Sequence, residues 1–292
     1  MLGSIAAGSG YLIWGLSVMY YRQLAAVPAF EILAHRATWS LLLLIGCVVY
    51  FGRKTHLMTV LRDRRMMVML CVTATIIGVN WLVFIWAVNS GRILETSLGY
   101  FINPLMSVLT GVIVLGERLS RAQGAAIALA ALGVLYFTVA LGFVPWISLF
   151  LAVSFAAYGY LKKTIKADAV EGLFVEMLFI TPFGLAYLAW IASAGANIVP
   201  ASPLTATLLV LTGPMTTLPL ILFTYGAQRI RMTTLGLLQY LVPTTSFAIA
   251  VWVYGEPLGH GQMITFALIW TGLIIFTGDT WWRERNKNPA LA

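Results

Sequence analysis

Five ionisable residues of this sequence lie within long apolar stretches. Glu31, His35 and Arg36 share one face of a predicted helix at spacings i, i+4 and i+5, and Glu95 and Glu176 lie in two further stretches. An ionisable group in such surroundings is costly unless it is paired or faces water. One hypothesis is a structural network joining Arg36 to Glu31 or Glu95. The other is that a carboxylate or His35 takes up and releases a proton, which would couple transport to a proton gradient.

Eight polar or aromatic residues inside the apolar stretches are candidates for binding a small solute. They are Trp14, Asn80, Trp81, Tyr100, Asn103, Tyr158, Gln239 and Tyr240. Binding pockets are mainly apolar with a few placed polar groups, so this set would suit an amphipathic, aromatic solute. The structural alternative is that the asparagines join helices by hydrogen bonds and that the aromatic rings only pack.

Two prolines predict helix kinks. Pro104 and Pro243 each remove a backbone hydrogen bond and free the carbonyl four residues earlier, at Tyr100 and Gln239. Unsatisfied backbone inside a membrane is tolerated only where protein covers it or a wet cavity meets it. The two proline helices are therefore the best candidates to frame a central cavity, with a packing kink as the alternative.

Composition decides what kind of elements must position these residues. The chain is 60% hydrophobic and only 10% charged, whereas soluble domains are about 25% charged. A membrane helix needs about 20 apolar residues, and the sequence contains ten such stretches. They span 2–21, 28–51, 66–88, 93–115, 121–140, 144–161, 170–192, 204–226, 232–254 and 261–281. The predicted fold is an all-α integral membrane protein with ten transmembrane helices.

One motif occurs twice. Residues 103–119 and 242–258 both contain a proline, then eleven residues, then Gly-Glu-x-Leu. Pro104 and Pro243 are 139 positions apart, as are Glu117 and Glu256. The sequence therefore divides into five-helix repeats at 1–140 and 141–292. Because five is odd, the second repeat enters the membrane from the opposite side, an inverted arrangement typical of secondary transporters.

Gly-Glu-x-Leu itself has a structural interpretation. Gly116 suits a left-handed helix cap, and Glu117 at the start of the next helix would suit the positive end of that helix dipole. We expect a tight helix hairpin rather than a solute contact at Glu117 or Glu256.

Basic residues predict the orientation. Fifteen of the 18 Lys and Arg residues fall on the same side as both termini under ten-helix counting, and only Arg22, Arg36 and Arg92 fall opposite. Lys and Arg accumulate on cytoplasmic loops, so both termini are expected to be cytoplasmic. The same distribution assigns the net charge of +8 to membrane topology and not to nucleic-acid binding.

The sequence resembles the drug/metabolite transporter superfamily, in its EamA-type ten-helix branch. The strings EILAHRATWS, NWLVFIWAVN, LETSLGYFINP, LGERL and TTLGLLQYLVP are similar to the RarD subgroup of permeases. The resemblance covers about residues 3–281. It implies a bacterial inner-membrane exporter of amino acids, related metabolites or amphenicol-type drugs. It also implies a cavity between predicted helices 1–4 and 6–9, with helices 5 and 10 peripheral.

Other function classes are less compatible with the sequence. No P-loop occurs, so the chain alone does not pump with ATP, and no cofactor or metal site is expected. An intramembrane enzyme would need a base, and only His35 among the three histidines lies within a predicted helix. A channel is disfavoured because no filter is present. A non-transporting scaffold stays open.

The expected partners are a small-molecule substrate, the lipid bilayer and, under the proton hypothesis, a proton gradient. Small residues in GAAIALAALG at 124–133 would allow close helix approach within the chain or in a homodimer. The sequence does not determine whether the protein is a monomer or a homodimer. It also does not determine the identity of the solute.

Overall fold

The computed structural model describes residues 2–141, 145–195, 202–255 and 260–287. Regular secondary structure in these ranges is helical throughout. The helices are α1 (Leu2–Arg22), α2 (Ala29–Tyr50), α3 (Lys54–Arg62), α4 (Arg64–Asn89), α5 (Ile93–Ile113), α6 (Arg121–Leu141), α7 (Trp146–Thr164), α8 (Ala169–Ser193), α9 (Pro203–Ala227), α10 (Met232–Leu238), α11 (Leu241–Trp252) and α12 (His260–Lys287).

Within the described ranges, nine segments are long and apolar enough to cross a membrane, not the ten predicted. They are α1, α2, α4, α5, α6, α8, α9, the α10–α11 pair and α12. The predicted sixth helix forms as α7 but does not meet this criterion; its last turn carries Lys162 and Lys163. The protein is thus an all-helical, multi-pass membrane protein.

Two segments differ from the predicted helices. The basic loop at 52–65 contains the short helix α3, because Leu57 and Val60 pack on one buried side while the polar residues face outward. The predicted helix 232–254 is broken at Gln239 and Tyr240 into α10 and α11. Elsewhere the predicted helices form with small shifts at their ends.

Pro243 explains the break. Having no N–H, it cannot bond the Gln239 carbonyl, which instead accepts from the Val242 amide at 3.0 Å in a tighter turn. Pro104, in contrast, lies inside α5, which continues through it to Ile113.

The proline helices do not enclose an open cavity where they meet. α5 packs directly on α10, and a Cβ added at Gly236 would lie 2.7 Å from the Pro104 carbonyl oxygen. Such contact requires glycine, because no real side chain fits at that distance. At this level of the bundle the two helices are in direct contact, and a cavity framed by them elsewhere stays a prediction.

α6 and α12 pack against each other along small residues. A Cβ at Gly133 would lie 3.0 Å from the Thr265 carbonyl oxygen, and one at Gly272 would lie 2.6 Å from the Ala126 carbonyl oxygen. Thr265 also donates a hydrogen bond to the Gly133 carbonyl at 3.2 Å. The small residues of α6 therefore serve packing within the chain.

Glu117 has the structural role expected for it, but at a different helix. Its carboxylate accepts hydrogen bonds from the backbone amides of Met232 at 2.6 Å and Thr233 at 2.9 Å, the first residues of α10. The prediction that it serves the start of the following helix is wrong, because the chain brings the α10 N-terminus closer. Glu256, its partner in the repeat, lies outside the described residues.

The α6–α12 contact gives a stability prediction. Gly272→Ala should cost roughly 1–3 kcal/mol, because the new methyl group overpacks the Ala126 carbonyl. Gly124→Ala is the matched control: no heavy atom lies within 4 Å of an added Cβ there, so we expect no loss. Thermal unfolding of the detergent-purified variants measures both. Equal melting temperatures for the two variants would contradict this interface.

The Glu117 contact gives a second prediction. Glu117→Gln should lower the free energy of unfolding by roughly 1–3 kcal/mol, because charged hydrogen bonds to two helix N–H groups weaken. Folding yield and melting temperature should fall while transport per folded molecule is kept. The control is Asp168→Asn, which alters an ion pair with Arg53 that is largely exposed and should cost less than about 1 kcal/mol. A larger loss in the control than in Glu117→Gln would refute the assignment.

Candidate functional site

A buried ion pair lies in the half of the bundle where α1 begins. Lys162 Nζ of α7 lies 3.0 Å from Glu176 Oε1 of α8, and their side chains are 2% and 0% exposed. Thr73 of α4 donates a hydrogen bond to Glu176 Oε1 at 2.5 Å, and the Tyr158 hydroxyl donates to Oε2 at 3.1 Å. Three helices are therefore tied together through one carboxylate, which stands at the centre of a polar network.

Lys162 corrects a prediction. The predicted helix 144–161 ends just before Lys162, which counts among the basic residues on the side of the termini, but α7 continues to Thr164 and carries the Lys162 side chain into the core. A lysine so deeply buried requires a partner, and Glu176 supplies it. Lys163, the next residue, donates instead to the backbone carbonyls of Ala227 and Ile230, near the start of α10.

An aromatic cluster adjoins this network. Tyr158 stacks on Phe223 with an interplanar angle of 11° and a centroid distance of 6.0 Å, and Phe155 and Trp14 contact the same Phe223 ring. Tyr158 is completely buried and Trp14 partly so. The rings of α1, α7 and α9 thus fill the space beside the ion pair.

Arg36 lies in the other half of the bundle. Its Nε donates to Thr216 Oγ1 of α9 at 3.0 Å. Its guanidinium carbon is 4.7 Å from the centroid of the Trp81 ring and 5.7 Å from that of the Tyr21 ring. A guanidinium is attracted to the faces of aromatic rings, so the cation is held between α4 and α1. It also interacts electrostatically with the Tyr100 phenol.

The predicted ion pairs of Arg36 do not form within the described ranges. Glu95 Oε1 lies 3.6 Å from Nη1 of Arg92 instead, the residue that precedes the first residue of α5. Glu31 and His35 are partly buried on α2, and no salt bridge of the described residues joins Glu31 to Arg36. The reason is geometric, because Arg36 turns toward α9 and α4 rather than back along α2.

Tyr100 and Trp81 are the predicted solute residues nearest to Arg36. The Tyr100 side chain is 42% exposed although most of α5 around it is buried. Its ring meets the Phe84 ring edge-on at 6.1 Å. Tyr100 is therefore accessible from outside the protein and lies within electrostatic range of the Arg36 cation.

An open cleft lies at the same end of the bundle. It has a volume of about 470 Å³ and its lining includes the Tyr21 ring that contacts Arg36, residues 24–29 of the α1–α2 turn, and Val88 and Asn89 at the end of α4. Tyr21 links the cleft to the Arg36 cluster.

The remaining predicted solute residues lie apart from this cluster. Asn80 donates to the Leu151 carbonyl at 3.0 Å and to Ser154 Oγ at 2.8 Å, which is the structural alternative of an amide joining α4 to α7. Tyr240 is fully buried and donates to the Phe101 carbonyl at 3.3 Å. The structure thus separates these two from Tyr100 and Trp81.

The other two polar candidates lie near the contact of α5 with α10. Gln239 accepts from Ser107 at 3.5 Å. Asn103 is buried, and its Oδ1 lacks a hydrogen-bond partner among the described residues.

Sequence reasoning missed Thr73, Lys162, Tyr21, Thr216 and Phe223. A threonine in an apolar helix usually bonds its own backbone, so nothing marked Thr73 or Thr216 as partners of charged groups. Lys162 was hidden because it adjoins other lysines at the end of an apolar stretch. Within the described ranges, no group of three or more His, Cys, Asp or Glu residues could hold a metal ion.

Comparison with known proteins identifies a matching family and near-full-length relatives. Residues 1–139 match the family model described as the EamA-like transporter family. An uncharacterized transporter of Vibrio cholerae is 44% identical over 95% of this chain and 92% of its own length. The RarD protein of Escherichia coli is 42% identical over 98% of this chain and 97% of its own length.

Two further matches are more distant. A chloramphenicol-sensitive protein RarD of Pseudomonas aeruginosa is 31% identical over 89% of this chain and 88% of that protein. A solved crystal structure shares the fold with a TM-score of 0.73 at 20% identity, over 94% of this chain and 96% of the other. On the near-full-length relatives and the family model together, the chain belongs to the EamA-like transporter family of the drug/metabolite transporter superfamily, among the RarD proteins.

Proposed function

We propose that this chain is a carrier that exports small amphipathic metabolites across the bacterial inner membrane by alternating access. The solutes would be amino acids, related compounds or amphenicol-type drugs. The observation that carries this proposal is the contrast between the two halves of the bundle. One half is filled by the Lys162–Glu176 network and its aromatic neighbours, whereas Tyr100 in the other half is 42% exposed and an open cleft adjoins Tyr21.

The helix contacts support an inverted repeat with ten crossings, in which α7 is the sixth. The first repeat would be residues 1–140 and the second 141–292. Gly133 and Gly272 are 139 positions apart, and so are Ala126 and Thr265. Gly133 contacts Thr265 and Gly272 contacts Ala126, so the repeat relation converts one contact into the other. Reciprocal contacts of this kind are what a two-fold axis between α6 and α12 produces.

Further helix pairs follow the same relation. If α1, α2, α4, α5 and α6 correspond to α7, α8, α9, α10–α11 and α12, then the packing of α1 on α9 corresponds to that of α7 on α4. Likewise α5 on α7 corresponds to α10–α11 on α1, and both pairs of each kind are in contact. Because equivalent helix contacts occur at both ends of the bundle, the protein can alternate which end is closed.

The conformation described would be open to the side away from the termini. The end where α1 begins also holds the basic residues near α3 and the end of α7, so the positive-inside rule makes it cytoplasmic. In this view the Lys162–Glu176 pair closes the cytoplasmic half. Opening that half would separate α7 from α8 and expose both charges to water, which removes the desolvation cost of burying them.

Transport into liposomes tests the function directly. Purified protein should take up one class of a labelled panel of aromatic amino acids, aliphatic amino acids and an amphenicol, with saturation at high concentration. Repeating the assay with an imposed pH gradient tests proton coupling, for which Glu176, Glu31, His35 and Glu95 are the candidates. No saturable uptake of any panel member by folded protein would refute the carrier proposal for these solutes.

Thiol accessibility tests the alternation. In a chain with Cys47 and Cys71 replaced by serine, Tyr100→Cys should react with a membrane-impermeant thiol reagent added on the side opposite the termini. Ile77→Cys, which is 1% exposed beside the network, should be protected from both sides. Adding Lys162→Met should raise Ile77→Cys labelling from the cytoplasmic side several-fold, because Glu176 is then buried without a counter-charge and opening lets water solvate it. Adding Glu176→Gln to that variant should return the labelling toward its original rate, since no charge is then left to solvate.

An ion pair with a half-exposed arginine provides the matched control. Arg283 pairs with Asp279 at 2.9 Å near the end of α12, and the Arg283 side chain is 50% exposed. Arg283→Met should leave both labelling rates unchanged. If Arg283→Met and Lys162→Met changed labelling equally, the Lys162–Glu176 pair would not close the cytoplasmic half.

A further inference from the structure

The repeat relates Arg36 to Glu176. The same spacing of 140 positions that joins Glu31 to Glu171 joins Arg36 in α2 to Glu176 in α8. The two repeats therefore carry opposite charges at equivalent positions. This correspondence invites a comparison of what surrounds each charge.

The surroundings correspond as well. Glu176 accepts from Thr73 of α4, and Arg36 donates to Thr216 of α9, the helix that corresponds to α4. Glu176 pairs with Lys162 of α7. A spacing of 141 positions, which also joins Trp14 to Phe155, places Tyr21 of α1 opposite Lys162.

The two repeats differ in the group that faces the central charge. In one half the protein supplies a cation, Lys162, to the acid at the centre. In the other half Arg36 meets the Tyr21 and Trp81 rings where an acid would be expected. Within the described ranges its Nη atoms donate no hydrogen bond and no carboxylate lies within ion-pair distance, so the guanidinium fork is available.

We propose that Arg36 binds the anionic group of the transported solute, which is a carboxylate joined to a flat apolar group. This inference rests on the proposed function and names the substrate class of that site. A guanidinium presents two parallel N–H groups that match a carboxylate. Tyr100 and Trp81 offer aromatic surface beside it for the apolar part.

The position of Arg36 makes an anion the fitting ligand. A cation within a membrane helix bundle is costly unless it is paired or wet, and the Thr216 hydroxyl supplies no charge. The solute would complete in this half the charge pair that Lys162 and Glu176 already form in the other. A neutral solute of the same shape would leave Arg36 without a counter-charge.

Binding of matched solutes tests the proposal without requiring transport. The probes are 3-phenylpropanoate and 3-phenylpropanamide, which differ in charge but little in shape, measured by competition or by thermal stabilisation on the full chain in nanodiscs. We expect the carboxylate to bind roughly ten- to a hundredfold more tightly, as a charge-assisted pair provides. Arg36→Met should reduce its affinity to that of the amide, and Arg36→Lys should retain part of the difference.

Controls separate the Arg36 effect from general damage. Arg229→Met removes another arginine that lies over a tyrosine ring, Tyr225 at 3.6 Å, at the opposite end of the bundle, and should leave both affinities unchanged. Acetate and inorganic phosphate test whether any anion suffices. Competition by either one as strong as that of phenylpropanoate would overturn the apolar part of the proposal.

The outcomes also distinguish this inference from the carrier proposal. Equal binding of acid and amide by the wild-type chain, or no binding of the acid, overturns the role of Arg36 even if liposome uptake succeeds. A carboxylate preference that Arg36→Met removes supports the role even if uptake of the amino-acid panel fails. The comparison within the wild-type chain holds even if an Arg36 variant does not fold.

Discussion

The low polarity of the membrane interior is the constraint on which the rest of this structure depends. Without water, a buried charge or amide must find its partner inside the protein. Glu176 meets this demand with Lys162, Thr73 and Tyr158, and so draws α4, α7 and α8 together. Glu117 meets it by joining the turn after α5 to the first amides of α10. Polar contacts thus set which helices adjoin.

Close backbone contact supplies the complementary part of the fold. Lipid is as apolar as the helices, so that association between them depends on packing and hydrogen bonds. Gly236 lets α10 lie against the Pro104 carbonyl, and Gly133 and Gly272 do the same for α6 and α12. Tight packing of this kind leaves little room for gradual deformation, so the carrier proposal involves movement between discrete arrangements.

The difference between the halves gives the protein its proposed chemistry. Two repeats with equivalent contacts would form a symmetric and inert bundle if their central residues matched. That symmetry is broken, because Glu176 pairs with the cation of Lys162 whereas Arg36 pairs with no anion among the described residues. Under the carrier proposal, one half closes on its own ion pair and the other is completed by a solute.

The sequence by itself determined the membrane class, the approximate helices and the family. These follow from the length of apolar stretches and from the proline and Gly-Glu-x-Leu motifs, which are local properties of the chain. It also indicated a kink with a freed carbonyl at Gln239, because Pro243 lacks an amide regardless of its surroundings. Glu117 shows the limit of local reasoning, since its structural role was foreseen but its helix was not.

Only the tertiary structure decided which side chains meet. Arg36 was expected to pair with Glu31 or Glu95, yet it contacts Thr216, Trp81 and Tyr21. Lys162 was expected just beyond the end of a helix and is buried with Glu176. The partners are far apart in the chain, and helix periodicity fixes only the face on which a residue lies. Which helix lies against that face depends on packing of the whole bundle, and this is why the sequence named many of the site residues but not their partners.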